Sequence, residues 1–165
     1  MPYDLSRLRV DIVDDNSFSR QILRSLLVAI GVPDRNVKEL TDAESALAGL
    51  KSFTPDIILC GLSLPGMDGI AFIRAVRDLD DEAACCVPII VCTAHTDERR
   101  VLACRDAGAN EVLNKPVSVT TLYQHLASVI ESPRSFVLSP VFKGPDRRRR
   151  VKPTTKPRRA GDMDC

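Results

Sequence analysis

Tryptophan is absent from this 165-residue chain, and only five phenylalanines and two tyrosines supply aromatic rings. Any core must therefore be built mainly from aliphatic side chains. No run approaches the roughly 18 consecutive apolar residues of a membrane-spanning helix, and the start Met-Pro-Tyr-Asp-Leu-Ser-Arg has no signal-peptide core. A cytoplasmic location is the expectation. None of the six cysteines (Cys60, Cys85, Cys86, Cys92, Cys104, Cys165) stands in a C-x-x-C pair. That spacing favours reduced, mostly buried thiols acting as small hydrophobes over metal or redox chemistry. Acidic residues are scarce near the C-terminus, where residues 132–165 carry 10 basic and 3 acidic side chains, whereas residues 1–131 carry 13 and 19. The formal net charge of +1 thus conceals an acidic globule joined to a basic tail, and the two parts are expected to meet different partners.

Short apolar runs alternate with longer segments of helical period. This pattern predicts five βα units and a doubly wound (βα)5 α/β domain with a five-stranded parallel sheet. Strands are expected over 8–13, 37–40, 57–60, 89–92 and 111–114. Helices are expected over 18–30, 43–50, 70–79, 97–107 and 119–130, with an acidic turn at 80–82. Right-handed crossovers place ligands of such a sheet at the carboxyl ends of the strands. Asp14, Asp15, Gly61, Thr93 and Lys115 all fall at such ends. Asp11 is anomalous, because a carboxylate in the middle of the first strand needs a partner, a proton, or thinner cover than its neighbours have.

Four places carry a resemblance: Val13-Asp14-Asp15-Asn16 after the first strand, Leu64-Pro-Gly-Met-Asp-Gly69 after the third, Thr93-Ala94 after the fourth, and Lys115-Pro116 after the fifth. In this order and spacing they resemble the receiver domains of two-component response regulators, the CheY-like family, over about residues 5–131. The resemblance implies a flavodoxin-like sheet. It also implies an acidic pair, Asp14 and Asp15, that holds Mg²⁺, a lysine, Lys115, that meets a phosphoryl group, and a hydroxyl, Thr93, that senses it. These roles suit phosphoryl transfer, which needs a carboxylate nucleophile, a hard cation and donors to the phosphoryl oxygens.

The chain departs from that family where the nucleophile belongs. Gly61 occupies the phosphoacceptor position and has no side chain with which to attack or to ligate. A weakened Mg²⁺ site at Asp14 and Asp15 and a direct pairing of Lys115 with one of them are the expectations. Asp56, at the other end of the strand, and Asp68, beyond Pro65, are poorly placed as substitutes. Val112 stands where the family usually has the aromatic switch residue, so the usual output relay is also altered.

Residues 132–165 are expected to form a Pro/Arg-rich, largely flexible basic tail, within which Phe136, Val137, Leu138, Val141 and Phe142 form an apolar block able to dock. The segment Gly144-Pro-Asp-Arg-Arg-Arg-Arg150 resembles the arginine-rich extension of CheY-like cyclic di-GMP effectors. That resemblance makes Asp146, Arg147, Arg148, Arg149 and Arg150 the candidate ligand-binding residues, because arginine pairs with guanine edges and phosphates. The expected function is a non-enzymatic signalling adaptor, unphosphorylated at the usual site and controlled through its tail, with a protein partner on the 97–130 face. Two alternatives stand beside it: non-specific nucleic-acid association through the tail, and a conventional phosphorylated regulator.

Overall fold

The computed structural model describes residues 3–131, 135–146 and 162–163. Five strands, β1 (Val10–Val13), β2 (Val37–Leu40), β3 (Ile57–Cys60), β4 (Ile89–Thr93) and β5 (Glu111–Asn114), form a parallel sheet. Their order is β2-β1-β3-β4-β5. The three central strands are buried on both faces, as their continuous apolar runs require. The order reverses direction beside β1, so a crevice opens at the carboxyl ends of β1 and β3.

Helices α1 (Ser17–Ala29), α2 (Ala43–Leu50), α3 (Gly69–Arg77), α4 (Glu82–Cys85), α5 (Glu98–Ala107) and α6 (Val119–Glu131) cover the two faces. Alternation along each strand divides the core. Val10, Ile12, Ile57, Leu59, Ile90 and Cys92 pack with Leu23, Leu27, Leu122 and Leu126 of α1 and α6. Val13, Ile58, Cys60, Ile89 and Val91 pack on the other side with α2, α3 and α5 through Ala46, Leu50, Phe72, Val76 and Cys104. Side-chain acceptors cap the starts of α1 (Asn16), α2 (Asp42), α3 (Asp68), α4 (Asp81) and α5 (Asp97), each satisfying a backbone N–H that the first turn leaves over.

The doubly wound α/β sheet is the expected one, with small differences. β1 is shorter than 8–13, and the acidic stretch expected as a turn forms the short α4, because Asp81 accepts from Ala84 N. Asp11 lies opposite Lys38 in the neighbouring strand and is nearly covered. Burial raises its carboxyl above the usual range while Lys38 acts in the opposite sense. Cys60, Cys85, Cys92 and Cys104 are free thiols. Cys165 lies outside the described residues.

The largest departure is in the segment after α6. Residues 135–146 do not behave as a largely flexible tail. Strands β6 (Phe136–Leu138) and β7 (Lys143–Pro145) form an antiparallel hairpin, and β8 (Asp162–Met163) pairs along the other edge of β6. The hairpin packs against α3 and α5, with Phe136 only 2% exposed. Packing therefore does not stop at the boundary expected at residue 131. The physical reason is the apolar block, which gains more by leaving water than its short backbone loses in freedom.

Candidate functional site

Hydrogen bonding of the parallel ladder continues one residue past the strands. Gly61 N donates to Val13 O (2.8 Å), Lys115 N to Thr93 O (2.9 Å) and Asp14 N to Leu40 O (3.1 Å). This continuation brings Asp14, Gly61, Thr93 and Lys115 from four strands to one crevice. The Lys115–Pro116 peptide bond is cis.

Asp14 is the centre of the cluster and is 4% exposed. Its Oδ2 accepts from Lys115 Nζ at 2.9 Å, its Oδ1 from Asn16 N at 2.9 Å, and its carbonyl from Arg20 Nη1 at 2.9 Å. Lys115 Nζ also donates to Ser19 Oγ at 3.1 Å. The expected direct pairing is thus with Asp14, while Asp15 stays exposed in the loop. Thr93 is 5% exposed, and its Oγ1 accepts from His95 N at 3.1 Å.

Gly61 leaves room that Asp14 uses. A Cβ at position 61 would lie 3.3 Å from both Cγ and Oδ2 of Asp14, so the Asp14 carboxylate leans into space that a side chain there would need. Nearby Gly69 has a separate constraint. A Cβ there would meet the carbonyl oxygen of Gly61, while Gly69 N donates to Leu62 O at 2.8 Å. The Leu64–Gly69 loop is therefore drawn tightly against the end of β3.

Neither alternative carboxylate joins this cluster. Asp56 Oδ2 accepts from Arg9 N at 2.8 Å at the amino end of β3, and Asp68 Oδ1 accepts from Ala71 N at 2.8 Å as the cap of α3. The adjacent thiols are inert at neutral pH. Burial pushes Cys60 well above its ordinary value and Cys92 up to about 12, so the nucleophilic thiolate is not formed.

The divalent cation that the family resemblance implies would find Asp14 already engaged and Asp15 exposed beside it. Both oxygens of Asp14 are already engaged, one by an ammonium group. Glycine supplies no third carboxylate, and among the described residues no group of three potential His, Cys, Asp or Glu ligands gathers. The expected direct pairing of Lys115 with Asp14 is present, so a cation held by Asp14 and Asp15 would compete with the Lys115 ammonium for Asp14 Oδ2.

Val112 lies half-buried on β5, packed at the edge of the α3–α5 core. An aliphatic side chain of this size has no ring to move between buried and exposed positions. Asp146 closes the hairpin, its N–H donating to Ser135 O at 2.7 Å. Arg147, Arg148, Arg149 and Arg150 lie outside the described residues.

Sequence reasoning missed Ser19 and Arg20, both of which hold the Asp14–Lys115 pair. It also missed Arg77. This residue is 2% exposed, and its five N–H donors go to Gly108 O (3.0 and 2.8 Å), Cys85 O (2.9 Å), Val87 O (2.6 Å) and Asn110 Oδ1 (3.0 Å). A signal was available, since Arg77 falls on the same helical stripe as Phe72, Ile73 and Val76. Burial pulls its guanidinium down to about 9, still charged at neutral pH, as five donated bonds require.

Comparison with known proteins is consistent with this geometry. Residues 10–127 match the family described as response regulator receiver domain. Chemotaxis protein CheY-3 of Vibrio cholerae serotype O1 is 31% identical over 124 residues, covering 75% of this chain and 92% of that protein. The receiver domain of sensor histidine kinase PA1611 from Pseudomonas aeruginosa, solved with magnesium in its active-site cleft, superposes with a TM-score of 0.67 at 28% identity. It covers 76% of this chain and 98% of its own. The CheX–CheY–BeF3–Mg complex from Borrelia burgdorferi superposes with a TM-score of 0.66 at 26% identity, covering 74% of this chain and 89% of its own.

Proposed function

The chain belongs to the response regulator receiver family, and from that premise we propose that it is a non-enzymatic signalling adaptor not switched by phosphate at the usual site. One observation carries the reading: where a nucleophile would stand there is Gly61, and the Asp14 carboxylate, already bound by Lys115, leans into that space. A phosphoryl donor meets no side chain at position 61, and a cation that would organise it must compete with the Lys115 ammonium for Asp14. Contact with another signalling protein accords with the CheX–CheY complex among the related structures, and the 97–130 face is the surface we assign to it.

Control then passes to the C-terminal segment. The chemistry of residues 146–150 suits cyclic di-GMP: arginines pair bidentately with guanine O6 and N7 and with phosphates, and Asp146 accepts from the guanine Watson–Crick edge. Isothermal titration with cyclic di-GMP tests this directly. Heat is expected from the intact chain and not from a chain with Arg147–Arg150 replaced by alanine. Absence of heat from the intact chain sinks the ligand assignment.

The second reading, non-specific binding to nucleic acid through the same basic residues, is favoured by the charge excess of 10 basic over 3 acidic side chains beyond residue 131. A conventional phosphorylated regulator is disfavoured by Gly61. It would be revealed by a stable gain of one phosphoryl group after incubation with acetyl phosphate, read by intact mass.

A further inference from the structure

The hairpin after α6 sits at the end of the domain opposite the Asp14–Lys115 crevice. Helices of a βα unit run antiparallel to the strands, so α3 and α5 finish at the amino ends of the sheet. Asn110 N donates to Ile89 O there, at the start of β4. Arg77 ends α3 and Gly108 ends α5 at this pole, and the hairpin packs on both.

Three contacts seat it. The Phe136 ring covers the Arg77 guanidinium, with the charged carbon 5.1 Å from the ring centroid, and is almost fully buried. Gly108 and Gly144 meet back to back. A Cβ on Gly108 would come within 2.7 Å of Lys143 O, and one on Gly144 within 2.7 Å of Gly108 Cα, and both glycines have positive φ (114° and 159°). Lys143 Nζ pairs with Asp78 Oδ1 at 2.8 Å on the exposed side. The hairpin is closed on itself by Ser139 N donating to Phe142 O and Asp146 N to Ser135 O.

Arg77 extends this seating into the domain. Two of its bonds end on Gly108 O, at the last turn of α5, and the others reach 85, 87 and 110. A buried guanidinium bonded only to neutral acceptors is strongly oriented, since losing any bond leaves a charge underserved in a poor solvent. Phe136 and the Gly108–Gly144 contact therefore bear on one point, the carboxyl end of α5. The other end of that helix, about 15 Å away for 10 residues, begins just beyond Thr93 and His95.

We infer that residues 135–146 are a clamp that sets the seating of α5, so that a change at this segment reaches the α5 surface without passing through the Asp14–Lys115 crevice. The wiring is independent of which ligand the residues after Asp146 bind. It gives a receiver domain an input at the amino pole of its sheet, with α5 as the rigid element shared by both poles.

Hydrogen–deuterium exchange by mass spectrometry on the full chain tests the clamp. In Phe136→Ala, the amides of 98–110 are expected to exchange about tenfold faster, together with those of the hairpin, while residues 10–29 keep their protection. Gly144→Ala separates the clamp from Gly108 while leaving Phe136 and Arg77 in place, and the same pattern is expected. The inference is overturned if the hairpin loses protection and 98–110 does not. It is equally overturned if both variants lose protection throughout 10–29, because the segment would then be an inseparable part of one cooperative core.

Discussion

At the scale of single residues, Gly61 and Lys115 decide the character of the crevice. Lys115→Met leaves the Asp14 carboxylate buried without a cation. We expect a loss of roughly 2 kcal/mol in urea denaturation, less than the ~3–5 kcal/mol of a fully buried pair because Lys115 is partly exposed. Mg²⁺ at millimolar concentration should leave the thermal midpoint of the natural chain unchanged. In Gly61→Asp, where a carboxylate returns and Asp14 must give way by a few tenths of an ångström, Mg²⁺ should raise it. Asp11 offers a test by pH. Its folded-state carboxyl is raised above the ordinary 3.8, so the folded chain holds that proton more tightly than the unfolded one. Stability from this group is present below 3.8 and is lost as pH rises through the higher folded value. Asp11→Asn should therefore be more stable than the natural chain at pH 7, with the gap closing in acid. The Gly61 substitution was legible in sequence because its neighbours carry a recognisable spacing. The Ser19–Lys115 bond was not, because nothing in a helical serine reports a lysine 96 positions away.

At the scale of elements, five strands and their flanking helices were readable because periodicity of two or 3.6 residues reflects burial directly. The hairpin was only half readable. Its apolar block indicated docking, but antiparallel pairing and the groove it fills depend on Arg77, Gly108 and Gly144 lying together. Arg77→Met removes all five donors from three buried carbonyls and the part-buried Asn110 Oδ1. A loss of about 3–5 kcal/mol is expected by chemical denaturation. Lys143→Ala, which breaks only an exposed ion pair, should cost less than about 1 kcal/mol.

At the scale of the whole molecule, charge and chemistry are divided between two poles. The crevice at the carboxyl ends of the strands is internally neutralised by the Asp14–Lys115 pair, and the hairpin pole leads into the basic segment. If that segment binds nucleic acid through phosphates alone, affinity for unrelated duplexes should fall roughly a thousandfold or more between about 50 and 200 mM salt. Fluorescence anisotropy reads this, and binding that persists at the higher salt would argue for a defined site. The amino-acid order by itself determined the receiver fold, the place of the crevice and the glycine at its third strand end, since strand patterns, loop residues and Gly61 are local facts. Only the tertiary structure decided that Lys115 pairs with Asp14 rather than Asp15, and that the segment after α6 is a docked hairpin held over a buried arginine. Those outcomes depend on which groups are brought within about 3 Å of one another across long stretches of chain. Hydrogen bonds and ion pairs act over that distance in space, and periodicity carries no record of it.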